Sequence, residues 1–293
     1  MRPSALRLRA ERLAQPLPPL LVAAERVAAT LAQGVHGRRR VGAGETFWQY
    51  RVYEPGDAAS AIDWRQSAKR QRFYVRQHEW EAAESVWLWR DASASMAYRS
   101  GAGWPDKGAR ATLLALAIAA LLLRGGERVA LLDGDTRPAA GRSALERLAV
   151  TLARAEAAAP SLPSVQAMPR FARTVWIGDF LAPVGDLARV LRAYAAQGVA
   201  GHLLQVLDPA EEELPFAGRI RFEGPEGEGN YLAGRAESLG DDYRAALAHQ
   251  RAVIGDLCRA AGWSFAVHRT DRPAAAALLA LYGVLSGYRG GPG

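Results

Sequence analysis

Asp91-Ala92-Ser93-Ala94-Ser95-Met96 follows directly on the apolar run Val86-Trp87-Leu88-Trp89. One carboxylate and two hydroxyls at alternate positions of a loop can converge as three hard oxygen ligands. That donor set suits Mg²⁺ or Mn²⁺ and disfavours metals that seek thiolate or imidazole. Two further oxygen donors stand where such a site would need them. Asp179 follows the apolar run Thr174-Val175-Trp176-Ile177-Gly178, and Ser143 follows Gly141-Arg142 at the start of a predicted helix. Both are expected on the same sheet edge as the loop. The plainer use of Asp91, Ser93 and Ser95 is to cap the turns that follow them.

Other chemistries lack the residues they need. The stretch Gly101 to Gly108 contains Lys107, but Asp106 and Gly108 stand where a phosphate-binding P-loop requires Gly and then Ser or Thr. Gly42-Ala43-Gly44 lacks the third glycine and the following helix of a dinucleotide fingerprint. The histidines His36, His78, His202, His249 and His268 form neither a helical pair nor a zinc spacing. An aspartyl phosphatase built on Asp91 would need a general acid two residues on, where the chain has Ser93. Cys258 lies on an apolar helical face and reads as core, and Lys107 opens a helix and reads as structural.

The elements that must position these donors alternate in type beyond residue 83. Strands are predicted over Ser85–Arg90, Arg128–Asp133, Thr174–Gly178, His202–Leu207 and Ser264–His268. Helices are predicted over Gly108–Leu123, Ser143–Ala157, Val184–Gln197, Asp242–Ala261 and Ala274–Leu281. Such alternation implies right-handed crossovers and an α/β fold with a mostly parallel, Rossmann-like sheet flanked by helices. In such a sheet, ligands bind beyond the carboxyl ends of the strands, where Asp91 and Asp179 stand. A hairpin near 219–234, around the glycine-rich Gly224–Asn230, is expected as an insertion at a sheet edge. Three segments are expected: an N-terminal helical segment over 1–34, a β-rich subdomain over 35–83, and the α/β domain over 84–293. The first rests on apolar residues at helical spacing between Pro18 and Gln33.

With 293 residues, 49% hydrophobic and 23% charged, the chain is ordinary globular material, not a disordered one. Its single cysteine excludes an internal disulfide and fits a reducing, cytoplasmic setting. The longest apolar run, Ala111 to Leu123, has 13 residues and falls short of a membrane span. Met1 to Arg12 carries four arginines without the apolar core of a secretory signal. The net charge of +7 is uneven: residues 1–83 hold 14 basic against 8 acidic side chains, and residues 84–293 hold 23 against 22. Arginine supplies nearly all of the basic groups, Lys69 and Lys107 being the two lysines, so compositional bias accounts for much of it. Binding of nucleic acid or another polyanion by the basic segment stays as an alternative without a recognised motif behind it.

Asp-x-Ser-x-Ser, a later hydroxyl in a Gly-x-Ser-x-Leu context and a strand-terminal Asp resemble the metal-ion-dependent adhesion site of von Willebrand factor A domains. The resemblance implies that Ser93 and Ser95 ligate the cation directly, while Asp91 and Asp179 act directly or through water. Ser143 would replace the usual Thr, with Thr136 as a substitute. Ahead of this loop run Gly42-Ala43-Gly44-Glu45-Thr46-Phe47, Arg51-Val52-Tyr53-Glu54-Pro55-Gly56-Asp57, Ile62-Asp63-Trp64 and Ser67-Ala68-Lys69. Together with Asp208-Pro209-Ala210-Glu211 and Thr270-Asp271-Arg272-Pro273, they closely resemble the bacterial "domain of unknown function 58" family over residues 35–285. The family resemblance implies a non-enzymatic interaction module with a von Willebrand A-like domain. It also implies work beside a MoxR-type AAA+ ATPase on client proteins. Arg51, Asp57, Asp63, Trp64 and Lys69 are expected either as a buried ion-pair and aromatic cluster or as a partner-binding face.

Overall fold

A computed structural model describes residues 40–42, 46–53, 62–70, 72–80, 85–134, 137–153, 159–170 and 172–285. The predicted helix over 18–33 lies outside these residues, as do Asp57 and Thr136. The described chain falls into two compact units that divide between Ala83 and Glu84.

The smaller unit is an antiparallel sheet of β1 (Arg40–Gly42), β2 (Thr46–Val52) and β3 (Tyr74–Trp80), with β3 in the centre. Between β2 and β3 lies a short helix, α1 (Trp64–Arg70), in a stretch with no helical periodicity to announce it. Ser67 is the joint that fixes it. The Ser67 hydroxyl donates to the Asp63 carbonyl (2.7 Å) and accepts from the Tyr74 backbone N–H (2.9 Å), tying the helix to the start of β3.

The larger unit is α/β, with an all-parallel sheet of five strands flanked by helices, consistent with a Rossmann-like, von Willebrand A-type architecture. In chain order it runs β4 (Ser85–Arg90), α2 (Lys107–Arg124), β5 (Arg128–Leu131), α3 (Arg142–Ala153) and β6 (Arg173–Gly178). There follow α4 (Val184–Ala196), β7 (Ala200–Leu207), α5 (Pro209–Glu213), β8 (Ile220–Gly224) and β9 (Gly229–Ala233). The chain closes through α6 (Gly240–Ala260), β10 (Ser264–Arg269) and α7 (Ala274–Leu285). Spatial order is β10-β7-β6-β4-β5, so the path leaves β4 to one side for β5 and returns to its other side for β6. That reversal places a topological switch point between the carboxyl ends of β4 and β6.

Alternation along the strands decides which layer each side chain joins. Val86, Leu88, Val175 and Ile177 face α2, α3 and α7, where Ala115, Ile118, Leu148 and Leu278 complete one core. Trp87, Trp89 and Trp176 face the other way, toward Leu191 and Tyr194 of α4 and Ile254 and Cys258 of α6. Helix α2 is buried through most of its length and is rich in alanine, which lets it lie close against both the sheet and its neighbouring helices. No helix among the described residues is long and apolar enough to cross a membrane.

Strands β8 and β9 pair only with one another, in a two-stranded sheet of their own. The hairpin expected near 219–234 is present, and it forms a sheet of its own. Strand β9 is exposed on both faces up to Ala233, while β8 alternates between half-buried and exposed positions.

Candidate metal centre

Asp91 continues β4 by one residue, donating its backbone N–H to the Ile177 carbonyl (2.9 Å). The register of β4 on β6 pairs Arg90 with Ile177, so Asp91 and the Gly178-Asp179 end of β6 meet side by side. Gly178 makes room for this. A Cβ there would lie 2.8 Å from Asp91 Cβ and 3.0 Å from Asp91 Oδ2, closer than side chains tolerate.

The loop then folds on its own polar groups. Asp91 Oδ1 accepts from the Ser93 backbone N–H (2.8 Å), the Asx turn expected of an Asp at a strand end. A short 3₁₀ turn over Ala94–Ala97 follows, with Met96 buried in the core as its anchor. Ser93 Oγ and Ser95 Oγ are 3.1 Å apart, and Ser95 Oγ donates to Asp179 Oδ2 (2.6 Å). Asp179 is held from behind: its Oδ1 accepts from the Leu181 backbone N–H (3.2 Å), and its carbonyl accepts from Gln205 Nε2 (2.8 Å). Phe180 turns the chain away in a left-handed conformation, φ 51°, and buries its ring against Trp89. A bulky residue holds that conformation only when its surroundings impose it.

Asp91 Oδ2 has no hydrogen-bond partner although the residue is fully buried. Burial and then the like charge of Asp179 push the Asp91 carboxyl up to about 7. An orphaned buried carboxylate oxygen beside two hydroxyls and a second carboxylate is what a hard divalent cation would complete. Asp91, Ser93, Ser95 and Asp179 thus fit such an ion by donor chemistry. Among the described residues no group of three His, Cys, Asp or Glu side chains is placed to hold a metal. The set at this loop is two carboxylates and two hydroxyls.

Lys107, the first residue of α2, reaches into the same cluster. Its Nζ donates to Asp179 Oδ2 (2.9 Å) and to Glu211 Oε1 (2.5 Å), with none of its side chain exposed. Burial alone would lower this ammonium, but the two carboxylates outweigh it and hold it charged. Glu211 is set by a capping box at the start of α5, in which its other oxygen accepts from the Asp208 backbone N–H. Asp208 in turn gathers the loop before α2, accepting from Ser100 N (3.0 Å), Ser100 Oγ and Trp104 Nε1 (3.0 Å). Sequence reading leaves Lys107 as a helix opener. The signal for Glu211 was the Asp-Pro-x-Glu spacing of a capping box, and nothing local pointed from there to Lys107.

The remaining sequence candidates lie elsewhere. Ser143 is exposed at the start of α3, where Gly141 and Arg142 line a shallow pocket with Ala120, Leu123 and Arg124 at the far end of α2. Lys107, at the near end of α2, belongs to the site, and Leu152, near the end of α3, accepts from Arg90 at the end of β4. Ser143 therefore starts a helix that only reaches the site's edge of the sheet nine residues later, at ~1.5 Å per residue, and it is no part of this donor set. In the smaller unit, Asp63 is buried, whereas Trp64 is 63% exposed and meets Phe73 edge-on, with ring centres 5.9 Å apart. A buried cluster containing Trp64 is thus not formed, because α1 turns this ring outward. Arg51 lies in β2 and Lys69 in α1.

A family model described as "Protein of unknown function DUF58" matches residues 49–253. The chain belongs to the DUF58 family. Relatives of this DUF58 chain include the uncharacterized protein Mb1516 of Mycobacterium bovis and the uncharacterized proteins MT1527 and Rv1480 of Mycobacterium tuberculosis. Each is 30% identical over 246 residues, which is 79% of this chain and 76% of the relative. Among solved structures, an uncharacterized membrane spanning protein from Vibrio fischeri aligns with 70% of this chain and 100% of its own. The identity there is 14% and the TM-score 0.19, too low to argue a shared fold.

Proposed function

We propose that this DUF58 chain is a non-enzymatic docking module whose loop after β4 takes Mg²⁺ or Mn²⁺ and, through it, a carboxylate of a protein partner. The observation that carries the reading is the Asp91 Oδ2 atom, buried without a partner where Ser93, Ser95 and Asp179 converge. An uncompensated buried carboxylate is costly, and a cation is the group that would offset that cost. When bound, such an ion supplies Lewis acidity toward an anionic oxygen. The chain's own residues do the rest: Gly178 leaves room for Asp91, Gln205 and Leu181 fix Asp179, and Lys107 neutralises the side of Asp179 that faces Glu211. Ser93 stands where an aspartyl phosphatase would need its acid, which favours docking over turnover. The family resemblance suggests a MoxR-type AAA+ ATPase as partner, acting with this chain on client proteins in the cytoplasm.

Calorimetric titration of Mg²⁺ and Mn²⁺ tests the reading. Saturable binding is expected for the wild type and its loss for both Ser93→Ala and Asp179→Asn, whose folding is checked by circular dichroism. A wild type that binds neither ion overturns the cation site. Retention of the ATPase by the immobilised chain that is indifferent to EDTA overturns cation-dependent docking.

A further inference from the structure

The β8–β9 hairpin is fastened at its base by backbone and ring contacts. The Gly218 backbone N–H donates to Glu237 Oε2 (2.7 Å), the Ala236 N–H donates to the Gly218 carbonyl (2.8 Å), and Phe216 meets Phe222 edge-on. From there two strands lead to a tip over Pro225–Glu228, with Gly227 and Gly229 at φ 93° and 90°, backbone that only glycine adopts freely. The tip carries two carboxylates with different employment. Glu228 turns inward and accepts from the Glu226 backbone N–H (2.9 Å). Glu226 points away from the hairpin, and its Oε1 accepts from the Ser95 backbone N–H (3.4 Å), 131 residues earlier in the chain.

This brings a carboxylate from the hairpin tip to the backbone of the loop that follows Asp91, and Glu226 makes no ion pair among the described residues. Lys107 is committed to Asp179 and Glu211. With Asp91, Asp179 and Glu211, Glu226 makes four carboxylates near one buried ammonium, a surplus of negative charge that a further cation would offset. The Asp91 oxygen without a partner lies at the same loop.

We propose that Glu226 is the chain's own carboxylate ligand for the cation at this loop, filling from the hairpin tip the position that a partner's carboxylate takes on docking. This rests on the cation-dependent docking reading and adds its regulation. The resting molecule is closed by its hairpin, and a partner competes with Glu226 rather than with water. The hairpin's separate sheet lets the tip leave without disturbing a strand of the main sheet, at the cost of one long hydrogen bond.

The test uses Mn²⁺ alone on the full chain, with affinity from calorimetry and bound water from proton relaxation of the Mn²⁺ complex. Glu226→Gln is expected to bind Mn²⁺ about tenfold more weakly, as loss of a group supporting a metal does, and to gain one exchanging water. Glu223→Gln, on the same hairpin, is expected to match the wild type in both. Equal affinity and equal relaxation in wild type and Glu226→Gln overturn the inference while leaving the docking reading intact. An equal loss in Glu223→Gln shows bulk charge and overturns it as well. Absence of Mn²⁺ binding in the wild type removes the docking reading itself, and Glu226's role falls with it.

Discussion

Lys107 Nζ lies 2.9 Å from Asp179 and 2.5 Å from Glu211 with its side chain fully buried, at the first turn of a helix whose N-terminus disfavours positive charge. Such an ammonium persists only because two carboxylates face it, and those carboxylates depend on it equally. Removing one partner of a buried ion pair costs ~3–5 kcal/mol. Lys107→Met should therefore lower stability by about that amount in urea unfolding without added metal. The same change removes the ammonium that shares Asp179 Oδ2 with Ser95, so Mg²⁺ should restore more stability to the variant than it adds to the wild type. A variant as stable as the wild type would show that Asp179 and Glu211 find other partners. This coupling was invisible in the sequence because it joins the start of α2 to the ends of β6 and β7, through residues 72 and 104 positions apart. By contrast, Asp91, Ser93, Ser95 and Asp179 were legible, since each follows or lies beside an apolar strand whose end fixes its place.

At the scale of elements, the strands are where the sequence spoke most plainly. Ser85–Arg90 has the bounds expected of it, and the other four strands of the main sheet shift by one or two residues at an end. Short runs of Val, Ile, Leu and Trp read as strands by their length and β-branched and aromatic content. What alternation within a buried strand does not reveal is which layer each residue joins, because both faces are apolar. Trp176 illustrates the outcome. It is fully buried, edge-on to Trp263 at 4.9 Å and to Tyr194 at 5.4 Å, with Nε1 donating to Thr174 Oγ1 (2.9 Å). Gly201 on the next strand is what admits Trp263, since a Cβ there would lie 2.1 Å from its ring. Trp176→Ala should cost ~3–5 kcal/mol, the range for emptying an aromatic site, measured as a shift in the urea midpoint at unchanged slope. A loss below ~1 kcal/mol would mean that Tyr194 and Trp263 collapse into the space. Where the expectation missed, the cause was long-range placement. Ser143 has the right residue type, but it begins α3 at the wrong end of the layer.

Across the whole larger unit, two histidines are buried as neutral bases and set how the fold answers to acid. Burial, and then Arg173, lower His202 to about 4; its Nδ1 is 2.7 Å from Ser264 Oγ. Burial, and then Arg110, lower His268 to about 4 against an opposing pull from Asp271. Arg110 NH1 lies 2.9 Å from His268 Nε2 and can only donate, so that nitrogen carries the lone pair and a proton there would break the contact. Arg110 also donates to the carbonyls of Thr270 and Arg272, which ties the end of β10 to α2. The ordinary histidine value of 6.5 lies above both folded values, so the unfolded chain binds protons first as pH falls. Stability from these two groups is complete above pH 6.5 and is lost toward pH 4, with a slope of up to ~1.4 kcal/mol per pH unit for each. Asp91 works in the opposite sense, since its folded value lies above its ordinary one and it favours the folded state at lower pH. The comparison that isolates the histidines is therefore between the wild type and a His202→Gln, His268→Gln double variant. From pH 7.5 to 4.5 the wild type should lose more stability in urea unfolding than the variant does, by a few kcal/mol. Parallel pH profiles for the two proteins would show that neither imidazole is kept neutral by the fold.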